Sequence, residues 1–223
     1  MSNPKFIAID GIDGCGKGTQ IELLKDRFKD ADIPVWFTAE PTKGKIGRII
    51  REDYLSGNVP AKHTIIDALY IADRIEHVAS VGGIKYHLKS NEWVVSDRYV
   101  FSGITYIAAN LFLDETNNIK SLPDAVEKAI EYSKIITDMQ MPDLTIILDL
   151  PVSTAVRRIN EGRSSKEIYE NERFLQAVAD TYKIAINGLS YFYPDSKFVT
   201  INADDFQDII AMDVWKEIRN LLC

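Results

Sequence analysis

The chain has 223 residues, 46% of them hydrophobic and 26% charged, which suits one larger globular domain and leaves two full domains cramped. Its net charge of −7 argues against a general nucleic-acid or membrane surface, although clustered arginines and backbone N–H groups can still hold an anion locally. Two cysteines, Cys15 and Cys223, make no disulfide framework, and no stretch approaches membrane-span length, so a cytoplasmic location is expected.

In chain order, KFIAID (5–10) is a short, continuous apolar run before a glycine, as in a buried parallel strand. KGTQIELLKDRFKDA then places Ile21, Leu23, Leu24 and Phe28 near helical spacing. PVWFTAE (34–40) reads as strand two and IGRIIREDYLSG (46–57) as a helix closed by Gly57. The stretch 64–90 is a long helical segment broken at Gly82-Gly83. EWVVSDR (92–98) and DLTIILDL (143–150) are strands three and four, with 99–139 mainly helical between them. VSTAVRRINEG starts a helix, 164–172 is polar, and ENERFLQAVADTYKIAINGLSYFY is a further helix. KFVTINA (197–203) is strand five, followed by a closing amphipathic helix, DFQDIIAMDVWKEIRNLL. Strands alternating with helices predict an α/β fold, a doubly wound sheet of about five parallel strands with helices on both faces. Ligands then belong at the carboxyl ends of the strands.

The first such end carries GIDGCGKGTQ. Gly11, Gly16 and Lys17 satisfy the spacing Gly-x4-Gly-Lys between a strand and a helix, the setting of a phosphate-binding loop. Gly11, Gly14, Gly16 and Gly18 let backbone N–H groups converge on phosphate oxygens, at the positive end of the new helix. Lys17 can follow charge from the β- to the γ-phosphate. The hydroxyl residue expected after the lysine is replaced by Gly18, with Thr19 one step later. That variant occurs in nucleoside monophosphate kinases, where Thr19 would face the phosphates and magnesium would be held largely through water.

Four further stretches bear on the second ligand. Asp97-Arg98 ends strand three, where a carboxylate can orient magnesium and a guanidinium can clamp a phosphate. A purely structural Asp–Arg pair is the alternative. Tyr70 and Arg74 lie four apart on one helix face, suited to stacking a base and holding its phosphate, or simply to packing. Glu40-Pro41 leads to a helix bearing Arg48 and Arg51, and Arg157, Arg158, Arg163 and Lys166 concentrate in a polar segment. A solvated basic helix face remains the plain reading of at least two of those four.

Taken together, DGIDGCGKGTQ, EPTKGKIGRIIR, LYIADRIEH, SDRYVFSGITY, MPDLTIILDLP, EIYENERF and VTINAD resemble the thymidylate kinase family, in order and spacing, from Phe6 to about Ala203. The resemblance implies a single P-loop-type domain over 1–223 with a short mobile lid at about 157–172. It implies phosphoryl transfer from ATP to dTMP with Mg²⁺, in a homodimer packed through 64–80 and 100–112. By position, Asp13 would bond the sugar 3′-OH, Tyr70 would stack on thymine, and Arg74 would hold base or phosphate. Arg98, with Arg51 and Glu40 nearby, would serve the acceptor phosphate, and Ser102 and Tyr106 would lie beside base and sugar. Arg158 would sit near adenine, and Glu170 at the lid close to the acceptor. The chain departs from the family pattern at Ile168 and within the loop at Gly14-Cys15, where no arginine stands. A transition-state cation is therefore expected from Arg163, with Lys166 second. Gly103 and Ile107 offer no polar group to read thymine, so another acceptor such as dUMP or dCMP is the alternative. A non-catalytic nucleotide switch is a more distant one. No general base is required, because the nucleophile is an ionised phosphate oxygen.

Overall fold

The computed structural model describes residues 3–59, 62–134, 139–162, 169 and 171–222. Among them, β1 (Phe6–Asp10), β2 (Val35–Ala39), β3 (Trp93–Asp97), β4 (Leu144–Asp149) and β5 (Lys197–Asn202) form one parallel sheet. Their order is β2-β3-β1-β4-β5. The helices are α1 (Lys17–Asp30), α2 (Lys45–Ile49), α3 (His63–Ala79), α4 (Ile84–Lys89), α5 (Val100–Leu113), α6 (Leu122–Ser133), α7 (Val152–Gly162), α8 (Glu172–Phe192) and α9 (Gln207–Arg219). Every strand lies inside the run expected for it.

Two helical stretches divide differently from the expectation. The break in 64–90 begins at Ser80, three residues after His77, and Gly82 with φ 82° only completes the turn. Gly83 N–H then donates to Ser80 O at 2.9 Å, which leaves Val81 on the outside of the turn. After α2 the chain widens into a π-helical turn, Ile50–Leu55. Ile50 and Leu55 are five residues apart and both buried, so the wider turn keeps both on the core side.

β1 occupies the centre of the sheet and is buried along its whole length, which is why FIAID shows no polar alternation. From β1 the chain passes over β3 to reach β2, and from β3 it passes over β1 to reach β4. These opposite crossovers put α1 with α9 on one face and α5 with α6 and α8 on the other. The carboxyl ends of β1 and β3 therefore open into the crevice of a topological switch point. Backbone bonds hold that crevice in register. Arg98 N–H donates to Ile9 O and Glu40 N–H to Asp97 O, both at 2.9 Å. The ends of β1, β2 and β3 are thereby locked side by side.

The α1 face is keyed by Phe28, which is fully buried. Its ring meets Phe37, Trp93 and Trp215 edge-on at centroid distances of 5.9, 5.8 and 5.4 Å. One side chain thus joins α1 to β2, β3 and α9. On the other face, α3 meets α5 where Asn110 Nδ2 donates to Asp67 Oδ1 at 3.3 Å. Burial pushes the Asp67 carboxyl up to about 7, only partly opposed by that amide.

Phe28→Ala is expected to cost about 3–5 kcal/mol in urea unfolding, because the cavity lies among three rings that cannot collapse together. A loss below about 1 kcal/mol would place the keystone of this face elsewhere. For Asp67 the folded pKa lies above the unfolded one, so its ionisation subtracts stability as pH rises from about 4 to 7. Asp67→Asn should therefore stabilise the protein at pH 8, by on the order of 1–2 kcal/mol, and change little at pH 4. Equal effects at both pH values would contradict this account of the burial.

Candidate active site

The loop after β1 curls because three of its glycines, Gly11, Gly14 and Gly16, have positive φ. Gly14 has a second constraint, since a Cβ there would lie 2.7 Å from Ala155 O of α7. The loop therefore packs directly on the start of α7 and delivers its last turn to the N-terminus of α1. Gly14, Gly16, Lys17, Gly18 and Thr19 all line a cavity of about 1530 Å³. Gly11 does not line it. Its N–H donates away from the cavity, to Tyr182 Oη at 3.2 Å, so it serves the site through its carbonyl.

That carbonyl is shared by two cations. Lys17 Nζ donates to Gly11 O at 3.1 Å and to Ile12 O at 2.9 Å, and Arg98 Nη1 donates to the same Gly11 O at 3.1 Å. Lys17 is only 7% exposed. Arg98 reaches this place because its own backbone has φ 67°, a left-handed conformation unusual for a residue with a side chain. The bond from Ser96 Oγ to Arg98 O at 2.7 Å helps to hold the turn.

Asp13 closes the group. Arg98 Nη2 donates to its Oδ1 at 2.5 Å and Tyr106 Oη to its Oδ2 at 2.8 Å. Burial alone would raise this carboxyl, but Arg98 and Lys17 outweigh it and hold the pKa at about 2. The Arg98 guanidinium also lies 5.1 Å from the centroid of the Tyr106 ring. Asp97, beside it, has a buried Oδ1 without a hydrogen-bond partner.

A second cluster forms at the end of β2, where a cis peptide joins Glu40 to Pro41. Arg74 Nε and Nη2 donate to Glu40 Oε2 at 2.9 and 2.6 Å, and Nη2 also donates to Tyr99 O at 3.2 Å. Glu40 Oε1 lies 3.1 Å from His77 Nδ1, whose Nε2 lies 2.8 Å from Thr38 Oγ1. Burial would raise the Glu40 carboxyl, yet Arg74 and His77 hold it below its ordinary range. A Cβ at Gly103 would stand 2.7 Å from Arg74 Nη1. Gly103 is thus the space that admits this guanidinium to the cavity wall.

Tyr70, Arg51 and Arg158 line the same cavity. Arg51 Nη1 donates to Pro41 O at 2.5 Å, and Arg158 Nη2 to Ala203 O at 3.4 Å. The structure accordingly gathers Asp13, Lys17, Thr19, Glu40, Arg51, Tyr70, Arg74, Asp97, Arg98, Ser102, Tyr106 and Arg158 at one cavity. Arg163, Lys166, Ile168 and Glu170 lie outside the described residues.

Three of the expected site residues have polar groups engaged within the protein. The Gly11 N–H is bonded to Tyr182 Oη. Both carboxylate oxygens of Glu40 are engaged, by Arg74 and His77. Ser102 is 6% exposed and its hydroxyl bonds to Arg98, Asp10 and Tyr182. Ser102 stands in the first turn of α5, and its hydroxyl points toward Asp10 and Tyr182. His77, Asp10 and Tyr182 were missed. Only His77 had a local sign, standing three residues after Arg74 on the same helix face.

Comparison with known proteins agrees with this geometry. The family model described as "Thymidylate kinase" matches residues 9–203. A "Probable thymidylate kinase" of Methanococcus maripaludis is 39% identical over 199 residues, covering 89% of this chain and 86% of the relative. A "Thymidylate kinase" of Prochlorococcus marinus is 31% identical, covering 96% of this chain and 92% of the relative. The solved thymidylate kinase of Candida albicans superposes with a TM-score of 0.76 at 22% identity, covering 99% and 93% of the two chains, and so shares the fold. The chain belongs to the thymidylate kinase family.

Proposed function

We propose that this chain transfers the γ-phosphoryl group of ATP to dTMP, giving dTDP and ADP. The observation that carries the reading is the Gly11 carbonyl, where the loop lysine and Arg98 meet at 3.1 Å each. A phosphate-binding loop supplies one cation and the neighbouring strand end supplies the other, so two phosphate chains can be brought end to end between them. The acceptor oxygen is ionised at neutral pH and needs no base. Catalysis is alignment and charge neutralisation, and both charged groups are already fixed by backbone contacts.

On this reading the triphosphate lies over Gly14–Thr19 and its base extends toward Arg158. The acceptor phosphate meets Arg98, with Arg51 at the wall. Its sugar lies against Asp13 and Tyr106, and its base lies between Tyr70 and Arg74. Arg74 answers the absence of a polar group at Gly103 and Ile107, because the small residue is what lets its guanidinium reach the base. A carbonyl at the far edge of thymine or uracil can accept from Arg74, whereas the amino group of cytosine cannot.

Magnesium fits these residues. Asp97 Oδ1 is buried and unpartnered, and Thr19 faces the cavity. Among the described residues no group of three or more His, Cys, Asp or Glu side chains could hold a metal, which suits an ion held mainly by phosphate and water. When bound, magnesium supplies charge to the phosphate oxygens, with Asp97 and Thr19 holding it through water. A transition-state cation from Arg163 or Lys166 stays part of the proposal.

A homodimer and a cytoplasmic location complete it. Ile65 and Ile75 on α3 and Phe112 on α5 are 46%, 46% and 39% exposed, which supports a partner on those helices. No helix among the described residues is long and apolar enough to cross a membrane.

Lys17→Ala and Arg98→Ala should each lower kcat at least about 10³-fold in a coupled ADP-release assay, with circular dichroism unchanged. Near-normal turnover in either variant would remove the assigned centre. Across dTMP, dUMP, dCMP, dGMP and thymidine, dTMP should show the highest kcat/KM, and thymidine, which lacks the phosphate for Arg98, should not react. Little activity on dTMP beside strong activity on dCMP or dGMP would refute the proposed acceptor.

A further inference from the structure

We propose that Tyr182, on α8, is a positioning residue for this phosphoryl transfer, setting the first residue of the glycine loop directly and Arg98 through Ser102 and Asp10. The inference rests on the proposed function and adds to its site a helix more than 170 residues away in sequence from β1. Tyr182, Ser102 and Asp10 are 4%, 6% and 0% exposed, so none of the three reaches solvent freely. Yet all three hydrogen-bond to groups at the cavity, and they form one connected network.

The directions of its bonds follow from what each group can do. A backbone N–H and a guanidinium can only donate. Gly11 N–H therefore donates to Tyr182 Oη at 3.2 Å, and Arg98 Nη1 donates to Ser102 Oγ at 3.1 Å. Ser102 Oγ–H in turn donates to Asp10 Oδ1. Tyr182 has one proton left, for Ser102 Oγ at 2.9 Å or Asp10 Oδ1 at 3.5 Å. Asp10 is the common acceptor toward which the network runs, and Arg98 and Gly11 are its two outlets.

Those outlets are the two parts whose placement the reaction needs. Gly11 presents the carbonyl shared by Lys17 and Arg98, so the bond that fixes its N–H also fixes where that carbonyl points. Ser102 holds the Nη1 side of Arg98 while Asp13 holds Nη2, leaving the guanidinium plane one orientation. Without the Tyr182 hydroxyl, Gly11 N–H would be buried and unpaired, and Ser102 would lose a neighbour that restrains it. The ring itself has a separate task, packing edge-on against Phe101 at 5.1 Å, and a phenylalanine would preserve it.

Tyr182→Phe tests the hydroxyl alone. Full-length wild type and variant are compared for kcat, for dTMP affinity by calorimetry, and for thymidine affinity as a control that lacks the phosphate. The expected result is a fall in kcat and in dTMP affinity of about 10- to 100-fold and about 10-fold respectively, with thymidine affinity within about twofold. Equal weakening of dTMP and thymidine would mean a merely structural role and overturn the inference, as would a kcat and dTMP affinity both within about twofold of wild type. A cycle with Ser102→Ala gives a second reading. Losses that overlap support one network, and losses that multiply overturn it. If the wild type binds thymidine but neither binds nor phosphorylates dTMP, the proposed function itself falls and takes this inference with it.

Discussion

One carbonyl oxygen, that of Gly11, organises the site. It accepts hydrogen bonds from Lys17 and Arg98 together. Like charges this close repel each other by a few kcal/mol in a partly buried setting. The shared acceptor offsets part of that repulsion, and Asp13, bonded to Arg98 and held at a pKa of about 2, offsets more. Asp10 acts on both cations and Asp97 on Arg98, so what the site offers an anion is the placement of these donors and not a large excess of positive charge. An acidic chain with a net charge of −7 can thus bind two polyanions, because the relevant field is made within a few ångströms by groups fixed on strand ends.

The cluster at the end of β2 uses the opposite balance. Glu40, Arg74 and His77 are all almost fully buried, and their charges are matched within the cluster. A buried pair of this kind adds little to stability, because desolvation of both ions consumes most of the attraction. Its value is geometric. Two bonds to one carboxylate oxygen and one to Tyr99 O leave the guanidinium a single pose, and Gly103 provides the opening through which it meets the cavity. A fixed donor discriminates between a base carbonyl and a base amino group better than a mobile one, since a mobile donor could turn away from the wrong partner.

The sheet was legible because its strands are short, continuous apolar runs, each stopping at a polar or glycine residue. The cavity-lining residues were legible where the motif sits at one strand end, as with Lys17, Asp13, Asp97 and Arg98. What could not be read was the second partner of a bond. Glu40 was recognisable as a site residue, but that Arg74 and His77 consume both its oxygens depends on how α3 crosses β2. Ser102 lies in a recognisable stretch, yet the pointing of its hydroxyl depends on where Asp10 and Tyr182 stand. Cys15 gains a plain explanation of the same kind. Its sulfur fills the space beside Gly11, where any Cβ would stand 2.7 Å from it, and lies 3.7 Å from Lys17 Nζ. Tyr182 had no local sign at all, because its partners come from β1, the loop and α5.

That last case follows from the topology. In a doubly wound sheet the loop after β1 is served from one face by α1, which receives the phosphates, and from the other by whatever packs beneath α5. Here that element is α8, and its Tyr182 hydroxyl accepts the loop's first N–H. A loop whose later amides must remain available for an anion needs its first residue anchored by something other than the anion. The positive φ of Arg98 makes that anchoring more necessary, since only there does the conformation carry a cost, glycines adopting it freely. The loop's readiness is therefore held from below by buried hydroxyls and a carboxylate, and the phosphate side is left clear.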